Sequence, residues 1–178
     1  NVKLPPISAL VIDRNRRIIQ SKRGRRTRTY RIDIDNPSLY TATLLKQKLI
    51  ENGITVNGSA VKSVAPLSAE TITESTVLLR DVIALINKNS DNFLAECLFK
   101  TIGAAASGIQ GNSFYATQAI LSFIDDNGIF SNGTAVVDGS GISRFNQITA
   151  GSIAGLLEKM YFDLVNFEDF YNSLSIAG

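Results

Sequence analysis

Val77-Leu78-Leu79-Arg80-Asp81-Val82-Ile83-Ala84-Leu85-Ile86-Asn87-Lys88-Asn89-Ser90-Asp91-Asn92-Phe93-Leu94-Ala95-Glu96-Cys97-Leu98 is the stretch from which the fold is read. Val77, Leu78, Val82, Ile83, Leu85 and Ile86 cover a broad helical face, which predicts a helix from Ser75 to Lys88. Asn87-Lys88-Asn89-Ser90 interrupts that face with polar, turn-prone residues, so a break is expected near Ser90. Phe93, Leu94, Cys97, Leu98 and Ile102 then restart the helical period toward Gly108 and place Cys97 on a packed face.

Outward from this stretch, Asn112 opens a further helix that stops at Asn127-Gly128. Thr134-Ala135-Val136-Val137-Asp138 reads as a short strand, and Thr149 caps a helix through Met160. On the other side, Asn36-Pro37 is an N-cap followed by proline at the first helical position, with Leu39, Leu44, Leu45, Leu49 and Ile50 as the apolar stripe up to Asn52-Gly53. Residues 54 to 64 read as a strand pair bounded by Pro66. Strands are also expected over 7–12 and 27–34, around the Lys22-Arg23-Gly24-Arg25 turn signal. The fold class is α+β, with strands concentrated near the start, and the composition divides the chain into an arginine-rich hairpin segment (1–35) and a helix-rich domain (36–178).

The 178 residues, 44% of them hydrophobic, suffice for a core. Histidine is absent, which excludes Ser-His-Asp and Cys-His catalysis and histidine-ligated zinc from this chain. Cys97 is the sole cysteine, so no disulfide forms within the chain. No apolar run approaches the roughly 18–20 residues that span a bilayer, so no transmembrane segment is expected. The opening Asn1-Val2-Lys3-Leu4-Pro5-Pro6 has neither a methionine nor a signal-peptide core, which reads as a start within a longer protein. Half of the 18 basic residues lie between Arg14 and Arg31, whereas residues 32–178 hold 8 basic and 15 acidic ones. That segregation points to an anionic partner or to a segment covered by other protein.

Two short segments carry chemistry. Ser90, Asp91 and Asn92 sit at the helix break, and all three are N-cap residue types, so capping is their plainest role. Asp138-Gly139-Ser140-Gly141-Ile142-Ser143-Arg144-Phe145-Asn146 follows a strand and puts an acid, a base, an amide, two serines and two glycines where backbone N–H groups can turn toward a ligand.

With these residues in view, the sequence resembles the class C, low-molecular-mass penicillin-binding proteins, D-alanyl-D-alanine carboxypeptidases and endopeptidases. Asn87 to Glu96 is similar to the family's Ser-x-Asn motif with its flanks, and Asp138 to Asn146 to its Asp-Gly-Ser-Gly-Leu-Ser-Arg segment. Pro37 to Gly58 is similar to the preceding helix and Gly-Ile-Thr-Val strand, and Ser173-Leu174-Ser175-Ile176-Ala177-Gly178 to a Ser-Leu-Pro-Val-Ala-Gly stretch with serine replacing proline. The resemblance covers residues 32 to 178 and implies the helix-rich part of a penicillin-binding/β-lactamase-like transpeptidase domain.

The family also uses a Ser-x-x-Lys nucleophile motif and a Lys-Thr-Gly strand. Ser59-Ala60-Val61-Lys62 matches the first only as a pattern, since the chemistry needs serine at a helix start and lysine one turn later. Lys100-Thr101-Ile102-Gly103 lacks glycine directly after threonine and lies in a helical stretch. The resemblance therefore implies a fragment of a serine-type D-Ala-D-Ala carboxypeptidase that has lost both ends and is inactive alone. It makes Ser90 a proton relay and Asn92 a ligand of the stem-peptide amide, both catalytic, with Asp91, Asp138, Gly139, Ser140, Gly141, Ser143 and Arg144 on the substrate side.

The partners so implied are peptidoglycan stem peptides and β-lactams, in the periplasm or cell envelope, with no metal or organic cofactor. The alternative is a non-catalytic anion-binding module using the Arg14 to Arg31 cluster, and a further one is a purely structural relative. Nucleic acid is not expected, because Tyr30 is the only aromatic residue among those arginines.

Overall fold

The computed structural model describes residues 4–66 and 68–176. The chain forms two compact units, one ending at Glu74 and one beginning at Ser75, so the hairpin shares its unit with the helix that follows it, and the division lies well beyond residue 35.

In the first unit a left-handed turn over Asp13–Asn15 (φ 49°, 57° and 53°) leads into an antiparallel hairpin, β1 (Arg16–Arg23) and β2 (Arg26–Asp33). Its two-residue loop, Gly24-Arg25, requires a positive φ at its first position, and glycine supplies it (φ 61°). The tight loop pairs Arg23 with Arg26 and thereby sets the register up to Arg16 opposite Asp33, where Arg16 Nε donates to Asp33 Oδ1 at 2.9 Å. The arginine-rich residues themselves are thus the first strand. The 7–12 run, expected as a strand, has no pairing partner among the described residues and is irregular. Helix α1 (Pro37–Glu51) begins as expected, with Asn36 Oδ1 accepting from the Leu39 N–H at 3.2 Å. Residues 54–64 form no strand, because neither edge of the hairpin pairs with them.

The second unit is helical: α2 (Leu79–Asn89), α3 (Asn92–Ser107), α4 (Ser113–Asp126), α5 (Ala150–Phe162) and α6 (Phe167–Ser173). Helix α2 starts four residues later than expected and follows Leu78, which has no capping side chain. Helix α3 packs chiefly on α4, where Gly103 permits close approach, since a Cβ there would lie 2.7 Å from Asn112 O and 2.8 Å from Ala116 N. Phe93, Phe99, Ala116, Ile124 and Ile129 are buried in this unit. Helix α2 packs on α6, an element not anticipated from the sequence, and Asn87 Nδ2 donates to the buried Ser173 Oγ at 2.9 Å.

Residues 134–138 do not make a strand. A single antiparallel bridge joins Ala135 to Gln147, and the Asn146 side-chain oxygen accepts from Val137 N (2.7 Å) and Asp138 N (3.3 Å), replacing the missing ladder partner. Thr149 caps α5 as expected. Ser152, at 1% exposure, donates to Phe130 O at 2.5 Å. Having one proton, its hydroxyl must accept from Thr134 Oγ1 (3.0 Å) and Thr149 Oγ1 (2.8 Å), which knots the chain before α5 to the helix. Among the described residues no helix is long and apolar enough to cross a membrane.

Candidate functional site

The break between α2 and α3 is built from Ser90 and Asp91 alone. Ser90 ends α2 with φ 51° and ψ 49°, the left-handed conformation usual at such a terminus, where glycine is the favoured residue. A serine held there costs about 1–2 kcal/mol relative to glycine. Asp91, 8% exposed, caps α3 by accepting from Leu94 N at 3.1 Å. Capping is therefore the work of Asp91. Ser90 Oγ and the Asn92 side chain have no hydrogen-bond partner among the described residues, and Ser90 is exposed, with Asn92 half-buried on the first turn of α3.

The second segment folds on its own aspartate. Asp138 Oδ1 accepts from Gly141 N (2.7 Å) and Asn146 Nδ2 (2.8 Å), and Oδ2 accepts from Ser143 N (2.7 Å). Burial pushes this carboxyl up, but the hydrogen bonds from Asn146, Ser143, Gly141 and Ser140 outweigh it and hold the pKa below the ordinary 3.8. Gly141 takes φ 73° to close the turn. Ser140 and Ser143 are half-buried, and Gly139, Gly141 and Arg144 are exposed.

The loop docks on α3. Gly139 lies so close that a Cβ there would meet Phe99 Cβ at 2.5 Å and Ala95 O at 2.7 Å. Beside it, Glu96 Oε1 accepts from Gly139 N at 2.8 Å and from Ser140 N at 3.1 Å. Asn92 and Glu96 are four residues apart, hence on one face of α3 and about 6 Å apart along its axis. One helix thus carries both segments: Ser90 to Asn92 form its N-terminus, and the 139–140 backbone rests against its next turn. The sequence marks Glu96 only as a flank of the first motif. The signal available in the sequence was an acidic residue at a helical position among Phe93, Cys97 and Phe99, where an apolar residue is expected.

The other candidates do not form the motifs that the chemistry needs. Ser59 and Lys62 are in non-helical chain of the first unit, so lysine is not one turn beyond serine on a shared face. Lys100 to Gly103 lie inside α3, with Lys100 Nζ donating to Ser113 Oγ at 3.5 Å. Cys97 is half-buried. Of the Ser173 to Gly178 segment, Ser173 is buried at the end of α6, whereas Ala177 and Gly178 lie outside the described residues. The hairpin arginines from Arg17 to Arg31 are all exposed, which fits either an anionic partner or a protein surface.

Comparison with known proteins agrees with the family resemblance. Residues 10–178 match the model of the D-Ala-D-Ala carboxypeptidase 3 (S13) family. The D-alanyl-D-alanine carboxypeptidase DacB of Haemophilus influenzae is 24% identical over 155 residues, which is 85% of this chain and 32% of that protein. A D-alanyl-D-alanine carboxypeptidase of an Actinomadura species is 31% identical over 130 residues, 70% of this chain and 24% of that protein. The crystal structure of penicillin binding protein 4 from H. influenzae, complexed with a β-lactam, superposes with a TM-score of 0.73 at 20% identity, over 92% of this chain and 41% of that one. The α+β fold is therefore shared with part of this penicillin-binding protein, and the chain spans about a quarter to a third of the length of these curated relatives.

Proposed function

The chain belongs to the D-Ala-D-Ala carboxypeptidase 3 (S13) family, and from that membership we propose that it is the helical wall of the active site of a serine-type carboxypeptidase acting on peptidoglycan stem peptides in the cell envelope. In this reading a serine from outside residues 1–178 attacks the carbonyl of the D-Ala-D-Ala bond, the terminal D-alanine leaves as the free amine, and water releases the acyl group. Ser90 passes a proton from the catalytic lysine to the leaving amine, and Asn92 binds the stem-peptide amide. β-Lactams, acylating the same serine, contact the same two side chains.

The observation that carries this reading is the division of labour at the break. Asp91 satisfies the start of α3, so Ser90 and Asn92 are not needed as caps. Ser90 nevertheless occupies a left-handed position that glycine would hold at lower cost, with its hydroxyl exposed and uncommitted. Asp138 is engaged by its own loop and acts as a brace, and the Ser143 hydroxyl accepts from Phe145 N at 3.2 Å within the same loop, which leaves the exposed Arg144 as the loop's freest polar side chain toward a substrate.

The test uses the full-length protein with Ser90→Ala and Ser90→Gly. Both should lower kcat/KM by a factor on the order of 10² to 10⁴, the range for a positioned proton-transfer group. Ser90→Gly should at the same time hold or raise the melting temperature, because it relieves the left-handed strain. A Ser90→Ala enzyme with the turnover of the wild type would overturn the relay.

A further inference from the structure

We infer that Glu96 is a positioning residue of the active site, a clamp that fixes the 138–144 loop at the distance from Asn92 that one bound peptide requires. The inference rests on the carboxypeptidase reading and assigns a task to a residue that reading does not use.

Glu96 is 7% exposed, yet among the described residues it forms no ion pair. A carboxylate held in that way is costly, and in a helix whose neighbouring core positions are Phe93 and Phe99 an apolar side chain would pack more favourably. The group is held instead by two backbone N–H donors from one loop, 43 and 44 residues away in sequence. A charged acceptor makes these bonds stronger than neutral ones. The loop itself offers no alternative anchor there, because Gly139 has no side chain and its backbone lies against Ala95 O and Phe99.

Below the clamp, Asp138 and Asn146 gather the rest of the loop, so the shape of the loop is set by Asp138 and its seat on α3 by Glu96, while Thr117 Oγ1 on α4 donates to Val136 O at 2.8 Å just before it. The face of α3 that presents Asn92 to the substrate presents Glu96 one turn later to the loop bearing Ser140 and Ser143. Groups that hold one substrate must keep their spacing to a fraction of an ångström, and a rigid helix whose side-chain oxygen accepts two adjacent loop amides provides that.

The remaining oxygen distinguishes the roles of charge and geometry. Among the described residues Glu96 Oε2 has no hydrogen-bond partner, and it is not fully sealed from solvent. In Glu96→Gln the amide nitrogen can occupy that position while Oε1 keeps both N–H donors. Glu96→Asp is one methylene short, and Glu96→Ala removes the acceptor.

The experiment measures KM and kcat on a D-Ala-D-Ala peptide, the acylation rate by benzylpenicillin, and hydrogen exchange of the loop amides in the full-length protein. Glu96→Ala and Glu96→Asp should raise KM about tenfold or more, slow acylation at least tenfold, and speed exchange at Gly139 and Ser140. Glu96→Gln should stay within about threefold of wild type on all three. A merely structural role would lower the active fraction at unchanged KM, and that result, or wild-type kinetics in Glu96→Ala, overturns the inference. If Ser90→Ala has wild-type turnover while Glu96→Ala shows the KM and exchange changes, the relay fails and the clamp stands.

Discussion

Replacing Gly139 by alanine tests the docking of the loop on α3 without touching a charged or hydroxyl group. Its φ is not in the left-handed region, so this glycine is required for space alone. A Cβ would sit 2.5 Å from Phe99 Cβ and 2.7 Å from the Ala95 carbonyl oxygen, which belongs to helix backbone and cannot yield. Carbon atoms in contact settle at about 3.5–4.0 Å, so the loop must retreat by about 1 Å. That retreat stretches the Gly139 and Ser140 hydrogen bonds to Glu96, now 2.8 and 3.1 Å, beyond useful length. Overpacking costs about 1–3 kcal/mol and each bond to a charged acceptor contributes about 1.5–3 kcal/mol, but the loop can swing outward, so the net loss is about 2–4 kcal/mol.

At about 2–4 °C per kcal/mol for a chain of this length, the melting temperature should fall by about 4–16 °C. Gly141→Ala is the internal control. Nothing lies within 4 Å of its Cβ position, and its φ of 73° imposes only the left-handed cost of about 1–2 kcal/mol. Hydrogen exchange read by mass spectrometry on peptides covering 92–107 and 138–146 should then show about 10²-fold faster exchange at Gly139 and Ser140 for Gly139→Ala. The control should leave those two amides near wild type. Unchanged exchange and a melting shift under about 2 °C for Gly139→Ala would refute the docking argument, because a clash of that size cannot be absorbed silently.

Ser152→Ala should destabilise the second unit by about 1–3 kcal/mol, since the carbonyl of Phe130 and two threonine hydroxyls lose a common partner, and a thermal melt indistinguishable from wild type would contradict that. The depressed pKa of Asp138 means that its contribution to stability is complete above the ordinary carboxyl value of 3.8 and is lost as pH falls through the lower folded value. The melting difference between wild type and Asp138→Asn should accordingly be full at pH 7 and shrink below pH 3.8, whereas a difference independent of pH would show that the carboxylate is not what organises the loop. The 178-residue chain incubated alone with benzylpenicillin should show no mass increase, because Ser59 and Lys62 are not on a helix, and a stoichiometric adduct abolished by Ser59→Ala would overturn that assignment.

Helices α1 to α5 were legible in the sequence because their causes are local, whereas the short α6, which has no side-chain cap, was not. Asn36, Asp91, Asn112 and Thr149 each accept a hydrogen bond from a backbone N–H three residues on, and the apolar period behind each marks the face to be buried. The two motifs were legible for the same reason, as short strings of chemically distinctive residues. The strands were not, apart from β2. An apolar run such as 7–12 or 54–64 becomes a strand only where another edge offers partners, and the residues that did pair, Arg16 to Arg23, were selected by the two-residue loop at Gly24-Arg25 rather than by hydrophobicity.

Within the site, the sequence named Ser90, Asp91 and Asn92 but could not divide their tasks, because all three residue types cap helices. Only the folded chain commits Asp91 to the cap, leaves Ser90 left-handed with a free hydroxyl, and turns Glu96 toward amides more than forty residues away. Capping and periodicity act within a turn or two of chain, whereas the pairing of strands and the partner of a buried carboxylate depend on which distant backbone arrives beside them, and that is decided by packing.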